Sequence, residues 1–201
     1  MSETDKKILL IDADMRKPVQ HKNFHLSNKL GLSNVITDSK LLDKAMHKQV
    51  VGNLDILTAG TIPPNPSELL ASKQMAELLD KLKAQYDMIL MDCAPINIVS
   101  DVAGLANSIA GVVMVVHYGT TTFAELEDAQ KQLELANCNI LGFVLNEVQH
   151  KHGTGYYSNY KYKYKYMYNY NYRYGSEKTA ASPKEDAPER VKDEENADGL
   201  S

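Results

Sequence analysis

Blocks of apolar and polar residues along this chain predict strands and helices in alternation. Five continuous apolar runs, typical of strands buried on both faces, are predicted as strands at 7–12, 53–59, 86–92, 111–117 and 138–146. Apolar residues recur at helical spacing over 66–85 and over 121–138, and each of these stretches begins with residues that favour a helix N-terminus. The pattern therefore predicts an α/β domain with a mostly parallel sheet and helices on both of its faces.

The apolar pattern stops near residue 149, which divides the chain into three parts. We expect the folded domain at 1–149, a tyrosine-rich segment at 150–175, and a polar segment at 176–201 with the composition of disorder. The overall charge of −4 hides a contrast between the last two parts. Residues 156–175 carry four basic and no acidic side chains, whereas residues 176–201 carry four basic and eight acidic ones.

The composition also bears on the compartment. Cys93 and Cys138, the only cysteines of the 201 residues, lie in apolar surroundings, and buried thiols in a reducing compartment are expected. The N-terminal residues show no signal-peptide pattern, and no apolar run reaches the roughly 18 residues of a membrane span. We therefore expect a cytoplasmic protein that reaches the inner face of a membrane only through a partner.

Three carboxylates follow the ends of predicted strands. Asp12 ends the first strand, Asp14 lies two positions further on, and Asp92 ends the strand at 86–92, so all three are expected at the edge where sheets of this class bind ligands. Carboxylates there suit Mg²⁺, which usually takes one or two of them together with substrate phosphates. Arg16 and Lys17 follow at once and are candidates for phosphate contacts. The alternative is that each Asp merely caps a turn.

These residues also carry a family resemblance. The stretch "ILLIDADMRKP" resembles the Walker A′ motif of the bacterial tyrosine kinases (BY-kinases) of capsule and exopolysaccharide synthesis, and "MILMDCAP" resembles their Walker B motif. Three further stretches match in the same order: "HKNFHLSNKLGLSNVI", "LTAGTIPPNPSELLAS" and "SDVAGLANSIAGVVMVVHYGTTT". The resemblance runs from about residue 7 to 175, because the tyrosine cluster resembles the autophosphorylation tail of the family.

The resemblance implies a P-loop fold related to MinD-type ATPases and the transfer of the γ-phosphoryl group of Mg-ATP to tyrosine. On this analogy Asp12 and Asp14 would hold Mg²⁺ and help to activate the phenol, and Asp92 would act on Mg²⁺ through its coordination shell. Arg16 would belong to the nucleotide site. Asn146 would face the adenine, although an Asn that ends a strand is usually a turn former.

The phosphate-binding P-loop of the family is not found. It has the form G-x-x-x-x-G-K-[ST], and no Gly-Lys pair occurs in the 201 residues. We therefore expect weak nucleotide binding and an unpaired apolar edge beside the strand at 86–92, where the strand that feeds the loop belongs. A truncated gene product, half of a split kinase and a start codon further upstream are all open explanations.

The tyrosine cluster predicts a multi-site phosphoacceptor. Tyrosine occupies every second position of "YKYKYKYMYNYNYRY", and each phosphorylation adds roughly −1.5 to −2 charges, so about three would reverse the sign of the segment. The expected acceptors are Tyr156, Tyr157, Tyr160, Tyr162, Tyr164, Tyr166, Tyr168, Tyr170, Tyr172 and Tyr174. Basic residues between aromatic ones can also bind single-stranded nucleic acid, but such binders usually present a folded platform, so no nucleic acid is expected. An alternating segment of this kind can also simply promote β-aggregation.

The resulting hypothesis is a tyrosine kinase of exopolysaccharide or capsule production, with ATP and Mg²⁺ as cofactors. The expected partners are a membrane-embedded activator of the chain-length-regulator type and either further copies of the chain or an intact kinase. We expect this chain to be weakly active or inactive alone. The alternatives are a non-catalytic scaffold that an intact kinase phosphorylates, and a MinD-like ATPase remnant, which the tyrosine cluster argues against.

Overall fold

The structure is a computed structural model that describes residues 5–99 and 101–148. In chain order these residues form β1 (Ile8–Asp12), α1 (Gln20–Asn23), α2 (Leu32–Thr37), a 3-10 helix (Ser39–Leu41), α3 (Leu42–Ala45), β2 (Met46–Val51), β3 (Leu54–Leu57), α4 (Pro66–Leu70), α5 (Lys73–Lys83), β4 (Met88–Asp92), a second 3-10 helix (Asp101–Ser108), β5 (Val112–His117), α6 (Phe123–Leu135) and β6 (Ile140–Asn146). The predicted alternation of strands and helices is confirmed.

The first sheet has four strands in the order β2-β3-β1-β4. Strand β1 lies parallel to both of its neighbours, β3 and β4, while β2 runs antiparallel to β3. Leu9 and Ile11 of β1 are fully shielded from solvent, as expected for a strand covered on both faces. They belong to a core that α5 completes with Leu79 and Leu82. The mostly parallel sheet is thus confirmed, with β2 as an antiparallel edge strand that the sequence did not predict.

A second sheet contains only β5 and β6, which lie parallel to each other. One face of β5 packs on α6, where Met114 contacts the cluster around Ala129 and Leu133. On the other face Val113 is 50% exposed and Val115 67% exposed. The prediction that these strands are buried on both faces is therefore wrong for this sheet, because no described residue covers its second face.

The predicted helices are present with changed bounds. The stretch 66–85 forms two helices, because Ser72 leaves the helical conformation and its hydroxyl accepts a hydrogen bond from the backbone N–H of Met75, which starts α5. The second predicted helix begins after Thr122, whose side chain accepts from the N–H of Glu125 while the Glu125 carboxylate accepts from the N–H of Thr122. These two reciprocal hydrogen bonds form a capping box, which starts α6.

Gly60 lies in the loop between β3 and α4 and closes it tightly. Its φ of +83° lies in the left-handed region, and a Cβ atom there would approach the backbone N of Gly31 to 2.8 Å. The same loop is held to the N-terminus of α2, since the backbone N–H of Leu32 donates to the carbonyl of Thr58. Glycine is therefore required at position 60.

The two sheets lie next to each other and each presents an unpaired edge. Among the described residues β4 pairs only with β1, and β5 pairs only with β6. Cys93 and Ile109 pack against the apolar clusters of both sheets, so the two clusters adjoin each other. Leu90 of β4 is 42% exposed. The expected apolar edge beside β4 is thus present in the described part of the chain.

None of the helices in the described part of the chain is both long enough and apolar enough to cross a membrane.

Candidate functional site

The backbone brings Asp12 and Asp92 together at the carboxyl edge of the first sheet. The two residues are register partners at the ends of β1 and β4. Beyond the strands, the N–H groups of Ala13 and Asp14 both donate to the carbonyl of Asp92, at 2.8 and 3.0 Å. The chain after β1 is therefore tied to the end of β4, and the predicted meeting of these aspartates at one edge is what the structure shows.

Asp12 is the most deeply buried of the three carboxylates, with no exposed surface. Its Oδ2 atom accepts hydrogen bonds from the backbone N–H groups of Val19 and Gln20, at 3.1 and 3.0 Å. Its Oδ1 atom is buried and has no hydrogen-bond partner. Burial, followed by repulsion from Asp92 and Asp14, raises the pKa of Asp12 to about 6 even though the two backbone donors oppose the shift.

Asp14 and Asp92 have different partners. The Oδ1 atom of Asp14 accepts from the backbone N–H groups of Arg16 and Lys17, at 3.1 and 2.9 Å. This fixes the turn that follows β1. The Oδ2 atom of Asp92 accepts from the side-chain amide of Gln20 at 2.6 Å. Gln20 thus contacts two of the aspartates, one through its backbone and one through its side chain.

Sequence reasoning did not find Gln20. Its place at the start of the four-residue helix α1 is what turns its backbone N–H toward Asp12 and its amide toward Asp92. The apolar pattern did not predict this helix, because "HKNF" and its neighbours lack apolar residues at helical spacing. No local pattern in the sequence marks Gln20 as a partner of the aspartates.

Arg16 contacts protein groups in this structure. Its guanidinium donates to Asp101 through Nε at 3.4 Å and to the hydroxyl of Ser67 through Nη2 at 2.9 Å. Ser67 in turn donates to Asp101 at 2.5 Å. Asp101 is almost completely buried, so this cluster ties the loop after β1 to α4 and to the second 3-10 helix. Ser67 and Asp101 were not among the predicted site residues.

Cys93 directly follows Asp92 and is a free, half-buried thiol. Burial is the main cause that raises its pKa, to about 12, and the negative charges of Asp92, Asp101, Asp14 and Asp12 add to the shift. A thiol with such a pKa stays protonated at neutral pH and is a poor nucleophile. Cys138 is also free and is buried as expected, whereas Cys93 is only half-buried.

Asn146 belongs to the second sheet. It ends β6 in the two-stranded sheet, its side chain is exposed, and its carbonyl accepts a hydrogen bond from the N–H of Tyr118. Its predicted role at an adenine stays a prediction. The ten candidate acceptor tyrosines, from Tyr156 to Tyr174, lie outside the described residues.

The donor set fits a magnesium ion that is shared with a phosphate ligand. No group of three or more His, Cys, Asp or Glu side chains in the described ranges is arranged to hold a metal ion. Mg²⁺ does not need such a cage, because it commonly takes one or two carboxylates and completes its octahedron with water and phosphate oxygens. The buried, unpartnered Oδ1 atom of Asp12 is a hard oxygen of the required kind. Asp12 and Asp92 are the residues that would hold the ion.

Comparison with known proteins first defines the class. Residues 1–139 match the family described as AAA domain. The fold is shared with the septum site-determining protein MinD of Pyrococcus horikoshii, solved with Mg-ADP, at a TM-score of 0.60 and 22% identity over 75% of this chain and 62% of that one. The chain therefore has the fold of the MinD-type P-loop NTPases.

Closer relatives define the family. Tyrosine-protein kinase YwqD of Bacillus subtilis is 40% identical over 158 residues, which are 78% of this chain and 67% of YwqD. The kinase domain of the Escherichia coli tyrosine kinase Etk superimposes with a TM-score of 0.71 and 37% identity, over 76% of this chain and 60% of that domain. The chain belongs to the bacterial tyrosine kinase family.

Some relatives are much longer. The chain spans 21% of the length of EpsB from Ralstonia solanacearum, to which it is 38% identical over 156 residues. It spans 22% of full-length Etk.

Proposed function

We propose that this chain is a tyrosine-kinase module of exopolysaccharide or capsule synthesis that transfers the γ-phosphoryl group of ATP to protein tyrosine. The observation that carries the proposal is the buried carboxylate of Asp12, paired in register with Asp92 and left with one oxygen unpartnered. A buried acidic oxygen without a hydrogen bond is unfavourable unless it serves a cation or a proton. Membership of the tyrosine kinase family supports this use of the site.

Asp12 is suited to two tasks in this reaction. Its Oδ2 atom is fixed by two backbone donors, so the unpartnered Oδ1 atom has a defined direction for a Mg²⁺ ion or a phenol proton. Without a metal ion, a pKa of about 6 leaves Asp12 ionised at neutral pH, so its carboxylate is available to a cation or a proton. When bound, Mg²⁺ would neutralise phosphate charge, and Asp14 and Asp92 would support it from the same edge.

The reaction is a single transfer of the γ-phosphoryl group to the phenol oxygen. The phenol O–H bond breaks and its proton passes to Asp12, while the phenol oxygen forms a bond to the γ-phosphorus and the bond to the β-phosphate oxygen breaks. ADP leaves with that oxygen. Arg16 would contribute to phosphate binding by exchanging Asp101 for a phosphate oxygen, since its guanidinium now contacts Asp101.

The proposed acceptors are the ten tyrosines between Tyr156 and Tyr174, in a tail at 150–175 that follows a catalytic domain at 1–149 and precedes an acidic segment at 176–201. A tail tethered beside a neighbouring subunit would meet its site at about millimolar effective concentration, so little sequence recognition is needed. The proposed setting is the cytoplasmic side of a membrane, where a membrane-embedded activator of the chain-length-regulator type docks the protein.

A second candidate function is a phosphorylatable scaffold. It is favoured by the ten tyrosines at 156–174, which are suitable acceptors for a kinase on another chain as well as for this one. In that case an intact kinase would modify the tail in trans. Its charge would then change from about +4 to negative after roughly three phosphorylations, which would alter its contacts with charged partners.

One experiment separates the two candidates. The purified chain is incubated with Mg-ATP alone, with the cytoplasmic part of the activator, and with an intact kinase of the family, and phosphotyrosine is measured by immunoblot and mass spectrometry. The kinase module predicts phosphotyrosine without the intact kinase. Phosphotyrosine only in its presence would support the scaffold, and phosphotyrosine in no reaction would contradict both candidates.

Matched variants assign the signal to residues. Asp12→Asn keeps the shape and one carbonyl oxygen for the two backbone donors, and it should abolish transfer by the chain itself. Asp43→Asn, on the exposed surface of α3, is the charge-matched control and should leave transfer unchanged. A variant with Phe at all ten tail tyrosines should remove the acceptor signal. Persistence of transfer in Asp12→Asn would refute the assigned role of Asp12.

A further inference from the structure

The acidic segment at 176–201 has no part in the proposed transfer, but the domain contains a stretch of opposite charge. The segment carries eight acidic side chains, and four of them lie together in "DEENAD" at 193–198 with no basic residue between them. Within the domain, residues 15–37 carry Lys or Arg at four positions and no Asp or Glu. The chain therefore holds one acidic and one basic stretch that are complementary in charge.

Two lysines of the basic stretch are exposed and unpaired within the described ranges. Lys22 lies in α1 and Lys29 in the loop that follows it, and His25 between them is exposed as well. Neither lysine belongs to an ion pair of the described residues, whereas Arg16 of the same stretch is paired with Asp101. Exposed charges act over about 10 Å at 0.1 M salt. Lys22 and Lys29 are therefore available to an acidic partner.

The loop that carries Lys29 is held against the ends of β3 and β2. The Asn28 side chain donates to the carbonyl of Gly60 at 2.9 Å and accepts from the Gly60 N–H at 2.8 Å. The Nε2 atom of His47, at the start of β2, lies 3.1 Å from the carbonyl oxygen of Ser27. These contacts fix where the basic side chains of the loop lie. We name the following four residues the basic surface: Lys22, His25, Lys29 and His47.

The basic surface lies on the same edge of the first sheet as the aspartates. Strand β3 is parallel to β1, which ends at Asp12, and β2 is antiparallel to β3, so the start of β2 with His47 lies at the carboxyl end of β3. The strand order β2-β3-β1-β4 and a strand spacing of about 5 Å place the start of β2 roughly 10 Å from the end of β1. This edge is thus acidic at β1 and β4 and basic toward β2.

We propose that the basic surface binds the acidic residues 193–198 of this chain. Four carboxylates within six residues match two exposed lysines and two histidines, and each stretch lacks charges of the other sign. The 44 residues 149–192 join the domain to the acidic stretch, and a chain of this length spans up to about 150 Å when extended. It can therefore reach any point of a domain whose radius of gyration is about 15 Å.

Other occupants fit the basic surface less well. The tyrosine segment at 156–175 carries four basic and no acidic side chains before phosphorylation, so like charges repel it. An anionic membrane or a nucleic acid would have to displace a segment that is tethered at about millimolar effective concentration. The acidic stretch of the chain itself is therefore the favoured occupant, whichever copy of the chain supplies it.

The proposal gives the acidic segment a task beside the carboxylate site. With residues 193–198 bound at one end of the edge, the basic tyrosine segment that precedes them would be drawn toward the acidic end at Asp12 and Asp92. Only 18 residues separate Tyr174 from Asp193, and the two ends of the edge are roughly 10 Å apart. The presentation of tyrosines rests on the proposed function, whereas the binding of the acidic stretch does not.

The test is zero-length crosslinking of the full 201-residue chain. A carbodiimide joins a lysine amine to a carboxylate when the two are in contact, and mass spectrometry identifies the joined peptides. No ATP or Mg²⁺ is added, so the tyrosines stay unmodified. Lys22 and Lys29 should crosslink to residues 193–198 at about 0.05 M salt and lose these crosslinks near 0.5 M, where screening is strong. A mixture of ¹⁵N-labelled and unlabelled chains shows whether the same or a second copy supplies the stretch.

Variants of the acidic stretch keep both reactive lysines in place. Glu194→Lys together with Glu195→Lys removes the net charge of 193–198, and the crosslinks of Lys22 and Lys29 to the remaining carboxylates should fall by about tenfold. The matched control changes two acids of the same segment, Glu185→Lys with Asp186→Lys. This control should leave the crosslinks to 193–198 unchanged.

A charge exchange tests the pairing from both sides. Lys22→Glu with Lys29→Glu should abolish the crosslinks, and combining these changes with Glu194→Lys and Glu195→Lys should restore crosslinks between the same two stretches. Lys131, an exposed lysine of α6 without an ion pair among the described residues, is the control for nonspecific reaction. It should form no such crosslinks in any variant.

Four results would overturn the proposal. They are no crosslinks from the basic surface, equally frequent crosslinks from Lys131, an equal loss in the control variant, and no recovery after the charge exchange. If crosslinks are absent and the chain sediments with vesicles of anionic phospholipid unless Lys22 and Lys29 are changed to Glu, the surface binds a membrane instead. The proposed function is tested by phosphotyrosine formation and this proposal by crosslinks without ATP, so either can fail while the other stands.

Discussion

Replacing Asp12 by Asn should stabilise the protein at neutral pH, and the size of this gain in stability should depend on pH. The carboxylate has no exposed surface, and burial together with Asp92 and Asp14 raises its pKa from 3.8 to about 6. The folded protein therefore binds the Asp12 proton more tightly than the unfolded chain does. The stability associated with this proton is complete below about pH 4 and is lost as the pH rises through about 6.

The magnitude follows from the size of the shift. A shift from 3.8 to about 6 corresponds to about 3 kcal/mol, at roughly 1.4 kcal/mol for each pH unit. The site lies at the end of a sheet, where solvent screens part of the repulsion, so we expect about 1–3 kcal/mol. Asn cannot ionise, and its carbonyl oxygen can still accept from the N–H groups of Val19 and Gln20.

The assay is urea denaturation of both proteins at several pH values between about 4 and 8, without Mg²⁺ or nucleotide. The free energy of unfolding of Asp12→Asn minus that of the wild type should rise by about 1–3 kcal/mol between about pH 4 and pH 7. Asp43→Asn, on the exposed surface of α3, should show no such rise. A difference that stays flat with pH, or falls, would refute the reasoning about Asp12.

Three further predictions concern stability at neutral pH. Tyr86→Phe removes the 2.6 Å hydrogen bond that the phenol donates to buried Asp55, and it should lower the free energy of unfolding by about 1–3 kcal/mol; an unchanged urea midpoint would contradict this. Thr122→Ala breaks the capping box with Glu125 and should lower the free energy of unfolding by about 1 kcal/mol, whereas Thr122→Ser should keep most of this stability. Gly60→Ala should cost more than about 1 kcal/mol in thermal unfolding, because a Cβ there meets backbone at a positive φ, and wild-type stability would disprove the steric argument.

Part of the first sheet was predictable from sequence because β1 and β4 are short apolar runs that end on Asp. Strands β1 and β4 match their predicted stretches closely, and this alone brings Asp12 and Asp92 to one edge. Strand β2 was not predictable in the same way, since "MHKQVV" has neither a continuous apolar run nor a regular alternation. Its strand conformation depends on pairing with β3 in the folded protein and not on a local sequence pattern.

Local sequence patterns could not predict the hydrogen-bond partners of the site residues. The contact of Arg16 with Asp101 spans 85 positions and depends on where the second 3-10 helix lies. The contact of Gln20 with Asp92 spans 72 positions. Hydrogen bonds between such distant side chains leave no periodic trace in the sequence. Sequence reasoning therefore predicted the acidic groups but not what holds them.

The position of Cys93 gives the protein an internal chemical probe. Its thiol packs against both apolar clusters, and its pKa of about 12 keeps it protonated and slow to alkylate while the clusters stay packed around it. Any movement that lets water reach this junction lowers the pKa of the thiol and quickens its reaction with iodoacetamide. The rate of alkylation at this natural cysteine thus reports local opening of the junction between the two sheets, with no label added.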